Sequence, residues 1–156
     1  MSRWNALPIA AILSLAAAMP AAAASRFYCA IDDAALKLSL ESNFTDGSGR
    51  RLNHFRGKLR IKGDKVPGLF QDLTLNTPML TQTWVDEKSL RLRFYYVTER
   101  QFPYAAIDMI VNTEVVPGET ARFQGKYYIA AEAVDPKSEK TEEVIRTQGQ
   151  VGCEYK

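Results

Sequence analysis

Four cationic side chains stand at strict intervals of two in one short stretch of the chain. They are Arg56, Lys58, Arg60 and Lys62. In a β-strand, residues two apart point to the same side and lie about 6.6–6.8 Å from one another. Such a row, here named the basic row, offers donors and positive charge to phosphate or carboxylate groups. The alternative is a solubilising strand face whose cations pair with acids on neighbouring strands.

A second, shorter basic pair and a dense set of aromatic residues follow later in the chain. Arg91 and Arg93 again stand two apart, and Tyr95 continues their spacing, while Tyr128 belongs to a later aromatic cluster. Consecutive aromatics on a strand face both ways, so some of them lie outside the core. Core filling and cross-strand pairing explain the aromatics equally well. The predicted binding surface comprises Arg56, Lys58, Arg60, Lys62, Arg91, Arg93, Tyr95 and Tyr128.

Residues suited to common enzymatic chemistry are scarce. The one histidine, His54, shares the parity of the basic row and is interpreted as a surface residue. Asp32 and Asp33 are adjacent, so on a strand they would face opposite sides and make a poor acid–base pair. Asp108 is expected to face solvent. The sequence holds no Gly-x-Ser-x-Gly element, phosphate loop or dinucleotide fingerprint, and we predict a non-enzymatic protein without catalytic residues or a cofactor.

The two cysteines, Cys29 and Cys153, lie near opposite ends of the sequence. In an exported protein, a lone pair of cysteines is most simply read as one disulfide. A metal site is not supported, because one histidine and no Cys-x-x-Cys motif cannot complete a zinc centre. A disulfide requires Cα atoms within about 7 Å. The first and last strands are therefore predicted to be neighbours.

Period-2 alternation of apolar and polar residues runs through most of the chain and predicts an all-β fold. Segment 69–75 fits either a strand or a helical turn. Strands following one another through short turns form an antiparallel meander, here of about eight strands that close as a barrel, with a two-sheet sandwich as the alternative. The predicted strands span residues 26–31, 35–44, 54–62, 80–85, 90–97, 104–115, 121–134 and 142–155.

The first 24 residues have the layout of a secretory signal. Arg3 precedes an apolar run over residues 7–19, and Ala22 and Ala24 occupy the −3 and −1 positions of a cleavage site. No later segment has the roughly 20 apolar residues needed to span a bilayer. We expect residues 25–156 to form one periplasmic or secreted domain, and the alanine-rich signal suggests a bacterial source.

The balance of charge restricts the function further. Twenty basic and 18 acidic residues give a net charge of +2, which excludes a globally basic nucleic-acid binder. The leading hypothesis is an exported, monomeric binding module that contacts an anionic envelope glycan, lipid or protein. The alternatives are a lipocalin-like carrier of a small apolar ligand inside the barrel and a structural or assembly factor of an envelope complex.

Overall fold

The computed structural model describes residues 26–44, 52–100 and 102–155, and nearly all of its regular structure is β-strand. A short helix, α1 (Gly68–Gln71), and a 3₁₀ turn (Thr77–Met79) are the helical elements of this part of the chain. The strands are β1 (Arg26–Asp32), β2 (Leu36–Phe44), β3 (Leu52–Ile61), β4 (Leu73–Asn76), β5 (Leu80–Val85), β6 (Ser89–Val97), β7 (Ala105–Val115), β8 (Arg122–Val134) and β9 (Thr141–Tyr155).

The nine strands of the described residues belong to one antiparallel sheet that is nearly closed as a barrel. The order is β4-β3-β2-β1-β9-β8-β7-β6-β5, so β1 pairs with both β2 and β9. Cys29 lies directly opposite Cys153 in the β1–β9 ladder, with Cα atoms 4.0 Å apart, and the two form a disulfide. The predicted all-β fold, its nearly closed barrel form and the disulfide between neighbouring terminal strands are confirmed.

The alternation seen in the sequence places apolar side chains inside the barrel. In β2, for example, Leu36, Leu38 and Leu40 are buried while the residues between them face outward. Burial of apolar surface is the main favourable term for such a sheet. The largest fully buried side chains are Phe27, Leu36, Leu38, Leu40, Leu59, Ile61, Phe70, Leu75, Leu90, Phe94, Phe123 and Tyr127.

One buried tyrosine of β8 reaches over the neighbouring strand β9 to the turn that follows β1. Tyr127 donates from Oη to Asp33 Oδ2 at 2.6 Å, and Asp33 Oδ1 accepts from the backbone N–H groups of Ala35 and Leu36. Burial raises the pKa of Asp33, but these hydrogen bonds outweigh it and hold the pKa below its usual value. Burial and the neighbouring carboxylate raise the pKa of Tyr127. Gly149 lies opposite Tyr127 in the ladder and leaves room for the ring.

The barrel has a seam between β4 and β5, which are consecutive in the chain but unpaired with each other. β4 pairs with β3 and β5 pairs with β6, and the 3₁₀ turn carries the chain from one partner to the other. Beneath the seam, the rings of Phe55 and Phe94 lie 6.3 Å apart. Segment 69–75, for which the sequence allowed either a strand or a helical turn, forms the end of α1 followed by most of β4.

Some sequence expectations lie outside the described residues. The secretory signal predicted over residues 1–24 is one of them. In the part of the chain that is described, no helix has both the length and the apolar character needed to cross a membrane.

Candidate functional site

The basic row projects from the outer face of β3. Phe55, Leu59 and Ile61 of this strand point into the barrel and are buried. The alternate residues Arg56, Lys58, Arg60 and Lys62 therefore face outward and form the single exposed row that their spacing predicted. β3 lies second from the β4 edge of the sheet, so the row runs beside the seam.

Three of the four cations in the row contact a carboxylate. Arg56 forms an ion pair with Glu41. Lys58 Nζ lies 2.9 Å from Asp72 Oδ1, and Lys62 Nζ lies 2.8 Å from Asp32 Oδ1. Hydrogen bonds from Lys62 and Lys37 lower the pKa of Asp32, and a hydrogen bond from Lys58 lowers the pKa of Asp72. This pairing is the arrangement that the solubilising-face alternative predicts.

Arg60 differs from its neighbours in the row. Its Nε donates to the carbonyl oxygen of Gln71 at 3.0 Å, at the end of α1. A surface cavity of about 520 Å³ opens here, between the end of β3 and α1. It is lined by Arg60, Ile61, Lys62, Gly63, Gly68, Gln71 and Asp72. Two cationic side chains thus line a concave surface at this end of the row.

Arg91 and Arg93 lie on the outer face of β6, on the other side of the seam. Arg93 makes two hydrogen bonds to Asp108 of β7, from Nε to Oδ1 at 2.9 Å and from Nη2 to Oδ2 at 2.6 Å. These bonds raise the pKa of Arg93. Arg91 lies between Trp84 of β5 and Asn112 of β7 in the ladders. The expected outward orientation of Asp108 agrees with this geometry.

Tyr95 and Tyr128 lie on the same outer face as Arg93, and both are exposed. Tyr128 lines an outer groove of about 480 Å³, and Tyr95 lines an adjoining one of about 270 Å³. The two grooves share Asp108, Ala130 and Arg146.

The predicted binding residues therefore fall into two groups, one on each side of the seam. Arg93, Tyr95 and Tyr128 come together on β6–β8, whereas the basic row lies on β3, with β2, β1 and β9 between β3 and β8 in the sheet. The β6–β8 surface holds acids as well as Arg93 and Arg146, because Glu132 and Glu143 line its groove. An anionic partner is thus better matched by β3 than by the tyrosine surface.

His54, Asp32 and Asp33, the residues considered for catalysis, do not form a common site. His54 is exposed and has a positive φ of 54°, at a bulge where the β2–β3 register shifts by one residue. Asp32 faces outward to Lys62, whereas Asp33 accepts from Tyr127, so the two carboxylates point to different sides as predicted. Among the described residues, no cluster of three or more His, Cys, Asp or Glu side chains fits a metal ion.

Sequence reasoning did not identify the carboxylates that accompany the basic row. Asp32, Glu41 and Asp72 come from three different segments, and the fold brings them to β3. Trp84 was also missed, although it is 62% exposed, more than any other large hydrophobic side chain in the described part of the chain. Comparison of the chain with protein-family models, with curated proteins and with solved structures gives no match.

Proposed function

We propose that this protein is an exported, non-enzymatic binding module that holds an anionic component of the cell envelope on the outer face of β3. The observation that carries the proposal is the exposed row of Arg56, Lys58, Arg60 and Lys62, which ends at a cavity lined by two of its cations. Phosphate and carboxylate groups are the anions that such donors bind.

The ion pairs on this face do not prevent binding of a larger anion. Five cations, with Lys37 included, face three carboxylates, so the surface keeps a positive excess. Exposed ion pairs contribute only about 0–1 kcal/mol each. A polyvalent anion can therefore replace the carboxylates at small cost. The Arg60 guanidinium is the natural first contact, because its Nε is held by the Gln71 carbonyl, which carries no full charge.

A carrier that binds an apolar ligand inside the barrel is the weaker candidate. The inward side chains include Phe27, Phe94, Phe123 and Tyr127, all of which are fully buried. A ligand site needs roughly 300 Å³ or more of space. The grooves and the cavity described above open on the outer surface, and they favour binding there.

The test is co-sedimentation of the protein with purified lipopolysaccharide and with peptidoglycan. The triple variant Arg56→Glu, Lys58→Glu and Arg60→Glu should lose at least tenfold in affinity for one of these probes. A matched control, Lys126→Glu, Lys137→Glu and Lys140→Glu, changes the net charge by the same amount on β8 and the β8–β9 loop. Circular dichroism and thermal unfolding check that both variants fold.

The two variants separate a local site from a general effect of charge. Equal losses in both would contradict a site on β3, and unchanged binding in a folded triple variant would do the same. Loss of binding confined to the β3 variant supports the proposal. Binding of the parent protein should also weaken when salt is added, because exposed charges are screened within about 10 Å at 0.1 M salt.

A further inference from the structure

The seam leaves one edge of β5 without a strand partner among the described residues. β5 pairs with β6 from Leu80 to Val85, and no ladder joins its other edge to β4 or β3. The facing end of β3 is open from Leu52 to His54, because β4 pairs only with Arg56–Leu59 and Thr77 Oγ1 donates to the Phe55 carbonyl oxygen at 3.4 Å. Two free edges therefore face each other across this end of the seam.

The hydrogen-bonding groups on the free edge of β5 can be identified. The N–H of Asp86 donates to the carbonyl oxygen of Ser89 at 3.0 Å where the hairpin closes. In an antiparallel ladder, residues alternately direct their backbone groups to the partner and away from it. Counting back from Asp86, Trp84 and Gln82 face β6, so the N–H and C=O groups of Thr83 and Val85 point into the seam.

This edge lacks the usual protection against strand addition. Natural edge strands carry charges, prolines or bulges that prevent pairing with another chain. The thirteen residues 73–85 contain no charged side chain, although Asp72 and Asp86 flank them directly. Pro78 lies in the 3₁₀ turn outside β5, and a register shift affects only the Leu80–Gln82 end of the strand.

Trp84 adds an apolar contact beside the open edge. Its side chain is 62% exposed, and its Nε1 donates to Asp86 Oδ2 at 2.8 Å, which fixes the indole on the outer surface. Exposed tryptophan is enriched where proteins bind partners, because it supplies a large apolar area together with a polar group. The edge thus combines free backbone groups with a fixed aromatic side chain.

We propose that the free edge of β5 binds an extended, uncharged segment of a partner protein, which adds to the sheet as a further strand. Recognition by strand addition takes its affinity from main-chain hydrogen bonds and its specificity from alternate side chains. The absence of charge over residues 73–85 favours an uncharged segment, because a charged one would lose hydration in the seam without gaining a partner.

A second copy of the chain fits this edge less well. A pair of copies joined at this edge would share the six-residue β5 strand of each. Contact through one strand of six residues is far smaller than the about 1,200–2,000 Å² buried in stable interfaces between folded proteins.

The first test measures amide exchange of the isolated protein by NMR at two concentrations. Thr83 and Val85 should exchange rapidly, whereas Gln82 and Trp84 should be protected. Protection of Thr83 and Val85 at the lower concentration would show that the chain itself covers the edge, and it would overturn the proposal. Protection that appears only at the higher concentration would indicate a second copy and would overturn it too.

The second test identifies the partner segment in cells of the source organism. A photo-crosslinking benzoylphenylalanine at Thr83 should capture one uncharged segment, whereas the same residue at Gln150 on outer β9 should not. A synthetic peptide of the captured segment should then protect the Thr83 and Val85 amides. Failure to capture a segment, capture of a highly charged one, or a peptide that leaves both amides unprotected would overturn the proposal.

Two edge variants complete the test. Thr83→Pro removes an N–H that points away from β6, so the β5–β6 ladder stays intact, and peptide binding should fall at least tenfold. Should that variant fail to fold, Thr83→Lys places a charge on the edge, with Thr74→Lys on the outer face of β4 as its control. Unchanged peptide affinity in a folded Thr83 variant would refute strand addition.

Discussion

Gly149 is the position where one added methyl group should disturb the interior of the barrel most informatively. A Cβ on this residue would lie 2.5 Å from Tyr127 Cε1 and 2.8 Å from both Tyr127 Oη and Asp33 Oδ2. Carbon atoms are ordinarily about 3.5–4.0 Å apart at best separation. The Tyr127 side chain is fully buried and has no solvent-facing space into which it can move.

The expected cost of Gly149→Ala follows from these contacts. Overpacking a filled interior costs about 1–3 kcal/mol, and loss of the Tyr127–Asp33 hydrogen bond adds about 1 kcal/mol. Alanine restricts the unfolded chain more than glycine does, and this effect offsets about 0.4–1 kcal/mol of the cost. We therefore expect the free energy of unfolding to fall by about 1–3.5 kcal/mol, measured by urea denaturation with an unchanged m-value.

The same strand provides a matched control. Gly152 lies three residues further along β9, and a Cβ there would meet nothing within 4 Å. Gly152→Ala should therefore leave the free energy of unfolding unchanged or raise it by up to about 1 kcal/mol. In a Tyr127→Leu background, Gly149→Ala should cost much less, because the clashing ring is gone. Equal stability of the two single alanine variants would refute the reasoning.

Three further predictions concern the disulfide, the bulge and one hairpin turn. Replacing Cys29 and Cys153 by alanine should lower the free energy of unfolding by about 3–5 kcal/mol, because the bridge spans 124 residues; urea denaturation measures the loss. His54→Val should cost about 1–2 kcal/mol in the same assay while His54→Gly costs little, because φ is positive there; equal costs would contradict this. Hydrogen bonds from Trp84 and the turn amides lower the pKa of Asp86 to about 2, so the stability that they contribute is present above about pH 4 and is lost as pH falls towards 2. Fluorescence of Trp84 should change in that range, and a similar transition in Asp86→Asn would contradict the assignment.

The sequence predicted the features that depend on a single strand or on covalent chemistry. The alternation within β2 and β3 indicates which side chains face inward, because a strand has a fixed period of two. The two cysteines indicate that the first and last strands are neighbours, because a disulfide restricts the distance between their Cα atoms. These predictions did not need a knowledge of the register between strands.

The features that depend on register could not be predicted. The partner of Lys58 is Asp72, which lies just after α1, and only the β3–β4 ladder brings them together. The same limit applies to the seam, because neither the undecided segment 69–75 nor the strand predicted at 80–85 indicates which neighbour it pairs with. Local propensity does not specify that β4 pairs with β3 and β5 with β6.

The position of β1 between β2 and β9 has a consequence for the order of folding. β9 is the last strand in chain order, so β1 obtains one of its two neighbours only after residues 141–155 are available. Contacts between residues so distant in the chain form slowly, because loop closure must precede them. Until then the edges of β1 and β8 are both open. We therefore expect the barrel to acquire its final shape, and its disulfide, only after β9 has paired with both β1 and β8.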